Sequence, residues 1–311
     1  MLRNVSLKPY VTLRAGGSAE RFVTARDRDE LAMHALIAQA EGWPISVLGW
    51  GSNMLPSDDG VPGIVIRNLA RTFQDDGTGS VWVETGFGYQ DLFLKTVQLG
   101  YRGLEFAVGI PGSIGGALVS NAGAYRSNIS EFVRELDVVW NGKREVVGAD
   151  WMGFKYRDSV LRTGEVTNAV VLAIRMELPR GPRKAAYDEA REYQRQRISK
   201  QPPSPSAGSF FKNVTDLSLA TTLDDLPGPL KEKGIIPAGF LIERAGLKGF
   251  RIGGAAVGKR HANFILNING ATATEIRLVA EHVKHAIRSK YGVLLEEEVL
   301  FAGDWSRFSV N

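Results

Sequence analysis

The chain has 311 residues, 44% of them hydrophobic and 23% charged, which is ordinary for a globular protein with room for two domains. This composition excludes collagen, disorder and a disulfide scaffold, and the absence of cysteine excludes thiolate nucleophiles, iron–sulfur clusters and zinc ribbons. The net charge of +4 comes from 38 basic residues scattered among 34 acidic ones. A basic pocket for a phosphorylated small molecule explains this excess as well as nucleic-acid binding does, and because no block of five or six basic residues occurs we expect no nucleic-acid partner.

The sequence contains no run of the roughly 18 to 20 apolar residues that a membrane-spanning helix needs. Its first residues, MLRNVSLKPYVTLRAGG, have neither an apolar core nor a small-residue cleavage site. We therefore expect a cytoplasmic protein that does not insert into a membrane.

The first half of the chain alternates between predicted helices and strands. Asp27, followed three residues later by Glu30, predicts a capped helix that ends at Gly42. A second helix is predicted over residues 90–99. A short buried strand is predicted over residues 45–48. Further strands are predicted over residues 64–66, 81–84, 136–140 and 170–177.

The composition changes near Pro179, where a charged helix is predicted over residues 180–200. We place a domain boundary there and predict one domain over residues 1–183 and a smaller one over 184–311. An amphipathic helix over 274–291, ended by Gly292, precedes a predicted strand over 293–300. We leave open that this final strand and the tail pack back on the first domain.

Two glycine-rich segments expose backbone. Residues 49–53 (GWGSN) follow a predicted strand, and they form either a tight turn or a phosphate-binding loop. Residues 109–117 (GIPGSIGGA) bury almost no side-chain area, so we expect them to pass close to a ligand, together with the following segment NAGAY. The first of these segments is not a Rossmann fingerprint, because its third glycine is missing, and Gly86-Phe87-Gly88 fails in the same way.

Three further features leave alternatives open. Arg157 forms either a surface ion pair with Asp158 or a clamp for a carboxylate or phosphate. Ser209 lines a pocket beside two phenylalanines or caps a turn. The glutamates at 296–298 alternate across the predicted strand, and their apolar flanks imply that at least one must reach a cation inside the protein.

No third ligand accompanies His282 and His285, so we expect no metal site.

Five ordered motifs, GWGSNML, LEFAVGIPGSIGGALVSNAGAY, FKYRDS, KQPPSPSAGSFFKN and LLEEEVLFAG, together resemble the UDP-N-acetylenolpyruvoylglucosamine reductase family. The resemblance covers nearly the whole chain. It implies an α+β fold, with an FAD-binding domain of the vanillyl-alcohol-oxidase (PCMH) type and a smaller α/β substrate-binding domain. It also implies noncovalent FAD, with NADPH as co-substrate and UDP-N-acetylglucosamine enolpyruvate as substrate, in peptidoglycan precursor synthesis.

The resemblance assigns roles residue by residue. Arg157 would stabilise the developing enolate, Ser209 would protonate C2 of the substrate, and Glu298 would hold Arg157 or the enol in place. Substrate contacts are implied at Tyr156, Lys200, Asn213 and His261. Contacts with FAD are implied at Gly49, Gly51, Ser52, Asn53, Gly109, Pro111, Gly112, Ser113, Gly115, Gly116, Ala122, Gly123 and Tyr125.

Two other functions compete with this one. A flavin-dependent alcohol or sugar oxidase of the same fold would not require the combination of Arg157, Ser209 and Glu298. A noncatalytic basic binding protein with an inactive nucleotide pocket would contain no flavin.

Overall fold

The structure, a computed structural model, describes residues 1–199 and 201–309. The chain folds into two compact units. The first unit comprises Met1–Val5, Ala19–Gly51 and Val61–Ser199, and the second comprises Ser6–Ser18, Ser52–Gly60 and Lys200–Asn311. The mixture of helices and strands in both units confirms the predicted α+β class.

The elements are named in chain order. The strands are β1 Leu2–Ser6, β2 Ser18–Ala25, β3 Ile45–Leu48, β4 Met54–Pro56, β5 Val61–Asn68, β6 Phe73–Asp75, β7 Ser80–Glu84, β8 Gly123–Ala124, β9 Ser127–Asn128, β10 Val133–Trp140, β11 Lys143–Gly148, β12 Val170–Glu177, β13 Val214–Thr215, β14 Ile235–Ile236, β15 Arg251–Ile252, β16 Ala255–Val257, β17 Ile265–Asn267 and β18 Leu300–Ala302. The α-helices are α1 Arg28–Ala40, α2 Tyr89–Gln98, α3 Ile114–Val119, α4 Val160–Thr163, α5 Arg183–Ile198, α6 Leu217–Thr222, α7 Gly228–Lys231, α8 Ala238–Arg244 and α9 Ala273–Tyr291.

The first unit contains two sheets that share helix α1. One sheet has the order β1-β2-β5-β3, in which β5 runs parallel to β2 and β3, and the other is antiparallel with the order β11-β10-β12-β7-β6. The side chain of Asp27 accepts hydrogen bonds from the N–H groups of Asp29 and Glu30, which confirms the predicted cap of α1. Leu31 and Ala35 of α1 are buried against residues of both sheets. Strand β3 has the predicted bounds, but only Leu48 in it is fully buried.

Helix α5 confirms the predicted charged helix but belongs to the first unit, because Ala186 and Ala190 are buried in the core cluster that also contains residues of α2. In the second unit, Leu13, Ala15 and Leu55 are buried in one core with residues of α8 and α9. The compact units therefore divide the chain at different positions from the predicted boundary at residue 183. The buried side chains of the two early segments explain why those segments group with the C-terminal residues.

Helix α9 begins with a capping box between Thr272 and Glu275 and ends at Gly292, whose φ of +74° is left-handed, as predicted. The predicted strand over 293–300 is wrong, because only Leu300–Ala302 form a strand there. The chain before it changes partners: Glu297 makes a single antiparallel bridge to Phe211, whereas β18 pairs in parallel with β4. A switch of partner within a few residues prevents one continuous ladder.

Candidate active site

Gly49, the first residue of one glycine-rich segment, lies beside Ser113 of the other, at the start of α3. A Cβ added to Gly49 would overlap the hydroxyl of Ser113, which accepts a hydrogen bond from Gly116 N as the cap of α3 (3.4 Å). Ser113 also forms an antiparallel bridge with Gly88, and Tyr89 N donates to Gly112 O (2.9 Å). Because Gly49 has no side chain, the side chain of Ser113 can pack directly against the backbone of Gly49.

Several of these glycines adopt backbone conformations that other residues avoid. Gly51, Gly109 and Gly112 have φ values of +61°, +70° and +144°. Gly115 and Gly116 lie within α3, and a Cβ on Gly115 would lie 3.3 Å from the side chain of Thr85. The segment predicted to lie close to a ligand therefore combines a turn with the first residues of a short helix.

Arg157 is part of the same unit and contacts the turn that follows α3. Its guanidinium donates to the carbonyl oxygens of Gly123 and Asn121, the latter at 3.4 Å. Asn121 Nδ2 donates to Lys155 O (2.9 Å), so hydrogen bonds in both directions join residues 121–123 to residues 155–157. Arg157 itself has a φ of +54°, a conformation that is uncommon outside glycine and that often occurs at functional sites.

Two residues that the sequence analysis missed lie beside these loops. Tyr89 Oη and Arg197 Nε are buried and have no hydrogen-bond partner within the described part of the chain. Burial raises the pKa of the Tyr89 phenol and lowers the pKa of Arg197. A Cβ on Gly109 would lie 3.1 Å from Arg197 Cδ, and the Arg197 guanidinium lies 5.6 Å from the ring centroid of Tyr125. Neither residue carries a local sequence signal for this position, because Arg197 is far from the glycine loops in sequence and only the fold brings it beside them.

The arrangement fits the FAD that the resemblance implies. Buried polar atoms in proteins almost always have partners, so the orphaned Tyr89 Oη and Arg197 Nε are suited to a ligand with polar edges. The left-handed turns at Gly51 and Gly109 let backbone N–H groups come close to an anion such as a pyrophosphate.

In the second unit, Ser209 and Glu298 are connected through one residue. Glu298 N donates to Phe210 O (2.7 Å), and Phe210 N donates to Asn263 O (2.7 Å). Phe210 is fully buried, whereas Ser209 and Glu298 are half-buried. Two candidate catalytic groups that are far apart in sequence are therefore fixed to one peptide segment.

The three consecutive glutamates have different environments. Glu296 is exposed and lies 3.3 Å from Lys212 Nζ, whereas the half-buried Glu297 accepts a hydrogen bond from Lys284 Nζ on α9 (2.7 Å). Burial acts to lower the pKa of Lys284, but the hydrogen bond and charge of Glu297 outweigh it and the pKa is raised. Glu297 thereby confirms the prediction that one carboxylate reaches a cation. The backbone of Glu298 is held by Asn53, whose Nδ2 donates to Glu298 O (3.0 Å).

The remaining predicted contacts lie in different places. Asn213 is exposed and its Oδ1 accepts from Ala238 N at the start of α8 (3.3 Å), and His261 Nδ1 accepts from Asn263 N (3.2 Å). Tyr156 is 58% exposed, with the guanidinium carbon of Arg157 5.3 Å from its ring centroid. Pro111 is exposed, whereas Ser52 and Ala122 are half-buried. Lys200 lies outside the described residues.

Within residues 1–199 and 201–309 no group of three or more acidic or histidine side chains is arranged to hold a metal ion. His282 and His285 are exposed, and the His282 ring stacks on Phe250 at a centroid distance of 3.8 Å. Across the same residues, no helix has both the length and the apolar character that crossing a membrane would require.

Comparisons with known proteins agree in both halves of the chain. A family profile described as an FAD binding domain matches residues 19–147, and one described as the C-terminal domain of UDP-N-acetylenolpyruvoylglucosamine reductase matches residues 199–302. The protein named UDP-N-acetylenolpyruvoylglucosamine reductase from Nostoc punctiforme is 35% identical, over 96% of this chain and 85% of its own length. One named UDP-N-acetylenolpyruvoylglucosamine reductase 2, from Symbiobacterium thermophilum, is 37% identical over 96% of this chain and 90% of its own.

A solved structure extends this similarity to the fold. The crystal structure of UDP-N-acetylenolpyruvylglucosamine reductase from Thermus caldophilus superposes with a TM-score of 0.76 and 32% identity, covering 97% of this chain and 99% of that one. The predicted fold, an FAD-binding domain of the PCMH type with a smaller second domain, is thereby confirmed. Matched across both halves and nearly end to end, the chain belongs to the UDP-N-acetylenolpyruvoylglucosamine reductase family.

Proposed function

We propose that this chain reduces the enolpyruvyl ether of UDP-N-acetylglucosamine enolpyruvate to UDP-N-acetylmuramate, with NADPH as the reductant. The cofactor is FAD, as the match of residues 19–147 to an FAD-binding family shows. The observation that carries the proposal is the link from Ser209 to Glu298 through Phe210, because it fixes a hydroxyl and a carboxylate to one peptide segment. Both substrates are charged nucleotides that do not cross a bilayer unaided, so we place the reaction in the cytoplasm, where they are made.

The candidate catalytic residues have two roles, the stabilisation of negative charge on the substrate and the transfer of a proton to it. Bound FAD would supply the hydride chemistry, the transfer from NADPH to C3 of the enol ether. Hydride addition drives negative charge through C2 onto the substrate carboxylate, and the permanently charged, planar guanidinium of Arg157 would stabilise that charge. Ser209 would then donate its proton to C2, and Glu298 would fix the enol form while this happens.

Backbone groups would hold most of the cofactor. We assign FAD contacts to the loops at Gly49–Asn53 and Gly109–Gly116 and to the turn through Tyr125, with Tyr89 and Arg197 as additional candidates. In support, Gly49 and Ser113 bring the first two loops together, and two buried polar atoms beside them lack protein partners within the described residues. Substrate contacts at Tyr156, Lys200, Asn213 and His261 remain part of this proposal.

Anaerobic mixing of the purified yellow protein with NADPH, followed by UDP-N-acetylglucosamine enolpyruvate, tests the function directly. We expect NADPH to bleach the flavin and the sugar nucleotide to restore its colour. Bleaching by an alcohol or a sugar, with colour restored only by oxygen, would support the oxidase alternative. A colourless protein that cannot be reconstituted with FAD would contradict both enzymatic functions.

A further inference from the structure

Asn263 makes hydrogen bonds to the main chain of the two residues that follow Ser209. It lies between β16 and β17 and is only 4% exposed. Its Oδ1 accepts a hydrogen bond from Phe211 N (3.0 Å), and its Nδ2 donates to Phe211 O (2.9 Å). Its main-chain oxygen accepts from Phe210 N (2.7 Å). Three hydrogen bonds from one residue therefore fix the backbone immediately after Ser209.

The same connection extends to Glu298. Phe210 donates its N–H to Asn263 and accepts the N–H of Glu298 at its carbonyl oxygen, so it lies between the two. Asn263 is itself anchored, because its N–H donates to His261 Nδ1 (3.2 Å). The positions of Ser209 and Glu298 relative to each other therefore depend on a peptide that the buried Asn263 amide holds in place.

The cost of leaving buried main-chain groups without hydrogen bonds makes the position of Ser209 sensitive to the Asn263 side chain. Removal of the Asn263 amide would leave the N–H and the C=O of Phe211 buried without partners, and an unsatisfied buried group is more costly than a missing exposed bond. The backbone would shift to regain partners, and Ser209 would move with it. A displacement of about 1 Å in a reacting group can reduce a rate on the order of 10²-fold.

We propose that Asn263 is a positioning residue that aligns Ser209 with Glu298 for the protonation step. The inference rests on the proposed function, because it assigns Asn263 a part in only one half of that reaction. Asn263 acts through the Phe210–Phe211 backbone and not by contact with the substrate. Its loss should therefore slow the transfer of reducing equivalents to the substrate and leave reduction by NADPH unaffected.

The second unit offers a matched control. Asn267, four residues further on, is also buried (7% exposed), and its side chain holds two backbone groups in the same manner. Its Nδ2 donates to Leu13 O (2.9 Å) and its Oδ1 accepts from Ala271 N (2.8 Å). Asn267→Ala thus removes a buried side-chain amide whose partners, Leu13 and Ala271, lie outside the segment of Ser209, and it keeps the main-chain hydrogen bond from Asn267 N to Pro205 O (2.9 Å).

The experiment compares the two half-reactions in anaerobic stopped-flow measurements on the FAD-loaded full chain. For Asn263→Ala we expect reduction by NADPH within about twofold of wild type, and recolouring by UDP-N-acetylglucosamine enolpyruvate slowed by about 10- to 100-fold. Asn267→Ala should lower thermal stability with little change in either half-reaction. Equal slowing of both half-reactions in Asn263→Ala, or selective slowing of recolouring in Asn267→Ala, would overturn the proposal.

A double-mutant cycle with Ser209→Ala separates positioning from general structural damage. If Asn263 acts through Ser209, Asn263→Ala should slow recolouring by less than about threefold further once the hydroxyl is gone. Multiplication of the two single-mutant effects would contradict the proposal. Asn263→Asp, which keeps the acceptor for Phe211 N but loses the donor, provides the same test if the alanine variant does not fold. A wild-type enzyme that fails to recolour would instead contradict the proposed function.

Discussion

The two units present their candidate functional groups in opposite ways. In the first unit, the glycine-rich stretches Gly49–Gly51 and Gly109–Gly116 present mainly backbone groups, and the absence of a side chain at Gly49 lets Ser113 pack against it. In the second unit, the groups are side chains, Ser209 and Glu298, on backbone that other residues hold rigidly. Cofactor retention should therefore respond to steric bulk in the first unit, whereas the protonation step should respond to the removal of single polar atoms in the second.

Ser209→Ala should give the largest difference between the rates of the two half-reactions. Reduction by NADPH requires no proton at substrate C2, so its rate should stay near that of wild type. Recolouring by the sugar nucleotide should slow by roughly 10²- to 10⁴-fold, the range for loss of a general acid. Ser206→Ala, a change at a half-buried serine of the same segment, serves as the control in stopped-flow measurements. Unchanged recolouring in Ser209→Ala would remove Ser209 from the mechanism.

Arg157→Lys tests whether a side chain in the first unit also serves the chemistry. Lysine keeps the positive charge but loses the planar fork, so the rate of substrate reduction should fall on the order of 10²-fold while FAD is retained. Arg134→Lys, at an exposed arginine paired with Glu177 at 3.0 Å, should have near-normal turnover. Steady-state turnover and flavin content decide the result, and normal turnover for Arg157→Lys would contradict the proposed role.

The glutamate run allows adjacent carboxylates to be compared. Glu298→Gln should lower turnover at least about tenfold more than Glu297→Gln, since a carboxylate at the reacting groups acts in catalysis and one paired with a lysine acts in stability. Glu297→Gln should mainly lower the melting temperature, because it weakens the bond to Lys284. Turnover and thermal unfolding of both variants measure the difference. A greater loss of turnover in Glu297→Gln would show that the assignment of the two residues is reversed.

Gly49→Ala tests the contribution of backbone approach in the first unit. The new methyl group would overlap the Ser113 hydroxyl and crowd its Cβ, so Ser113 must give up its place as the cap of α3 or the two loops must separate, and we expect affinity for FAD to fall by about tenfold or more. Gly148→Ala is the matched control, because a Cβ there meets open space and the φ of −71° suits alanine. Titration of the flavin-free protein with FAD measures both affinities. Equal affinities would exclude a tight approach at Gly49 as a requirement for binding.

The smallest effect concerns the pair of Lys284 and Glu297. The pKa of Lys284 is raised above its ordinary value of 10.5, so the pair contributes stability that is fully present below that pH and is lost as the pH rises through the folded-state pKa. Lys284→Met should lower the free energy of unfolding by about 1 kcal/mol near neutral pH, and the difference from wild type should narrow above pH 10.5. Denaturant unfolding at several pH values measures this, with Arg288→Met on the same helix as the control. A difference that widens with pH would contradict the assignment.

Local signals in the sequence predicted much of the fold. Helix α1 has its cap at Asp27, and α9 has its stop at Gly292, and both signals act within a few residues of the element they define. The strand predicted over 293–300 failed because the chain changes partner there, from Phe211 to β4, and the local sequence contains no sign of that change. Tyr89 and Arg197 were missed for a related reason, since only the folded backbone brings them beside the glycine loops.

The order in which the chain visits its two units has a consequence for synthesis. Ser6–Ser18 and Ser52–Gly60 leave the ribosome early, yet Leu13, Ala15 and Leu55 are buried with side chains of α8 and α9. These apolar residues must wait until most of the chain has been made before they find their partners, and contacts so distant in sequence form slowly. A fragment that begins at residue 200 would lack all three side chains, and it would also lack β4, the parallel partner of β18. Such a fragment is therefore a poor candidate for independent expression, because it is only part of the compact second unit.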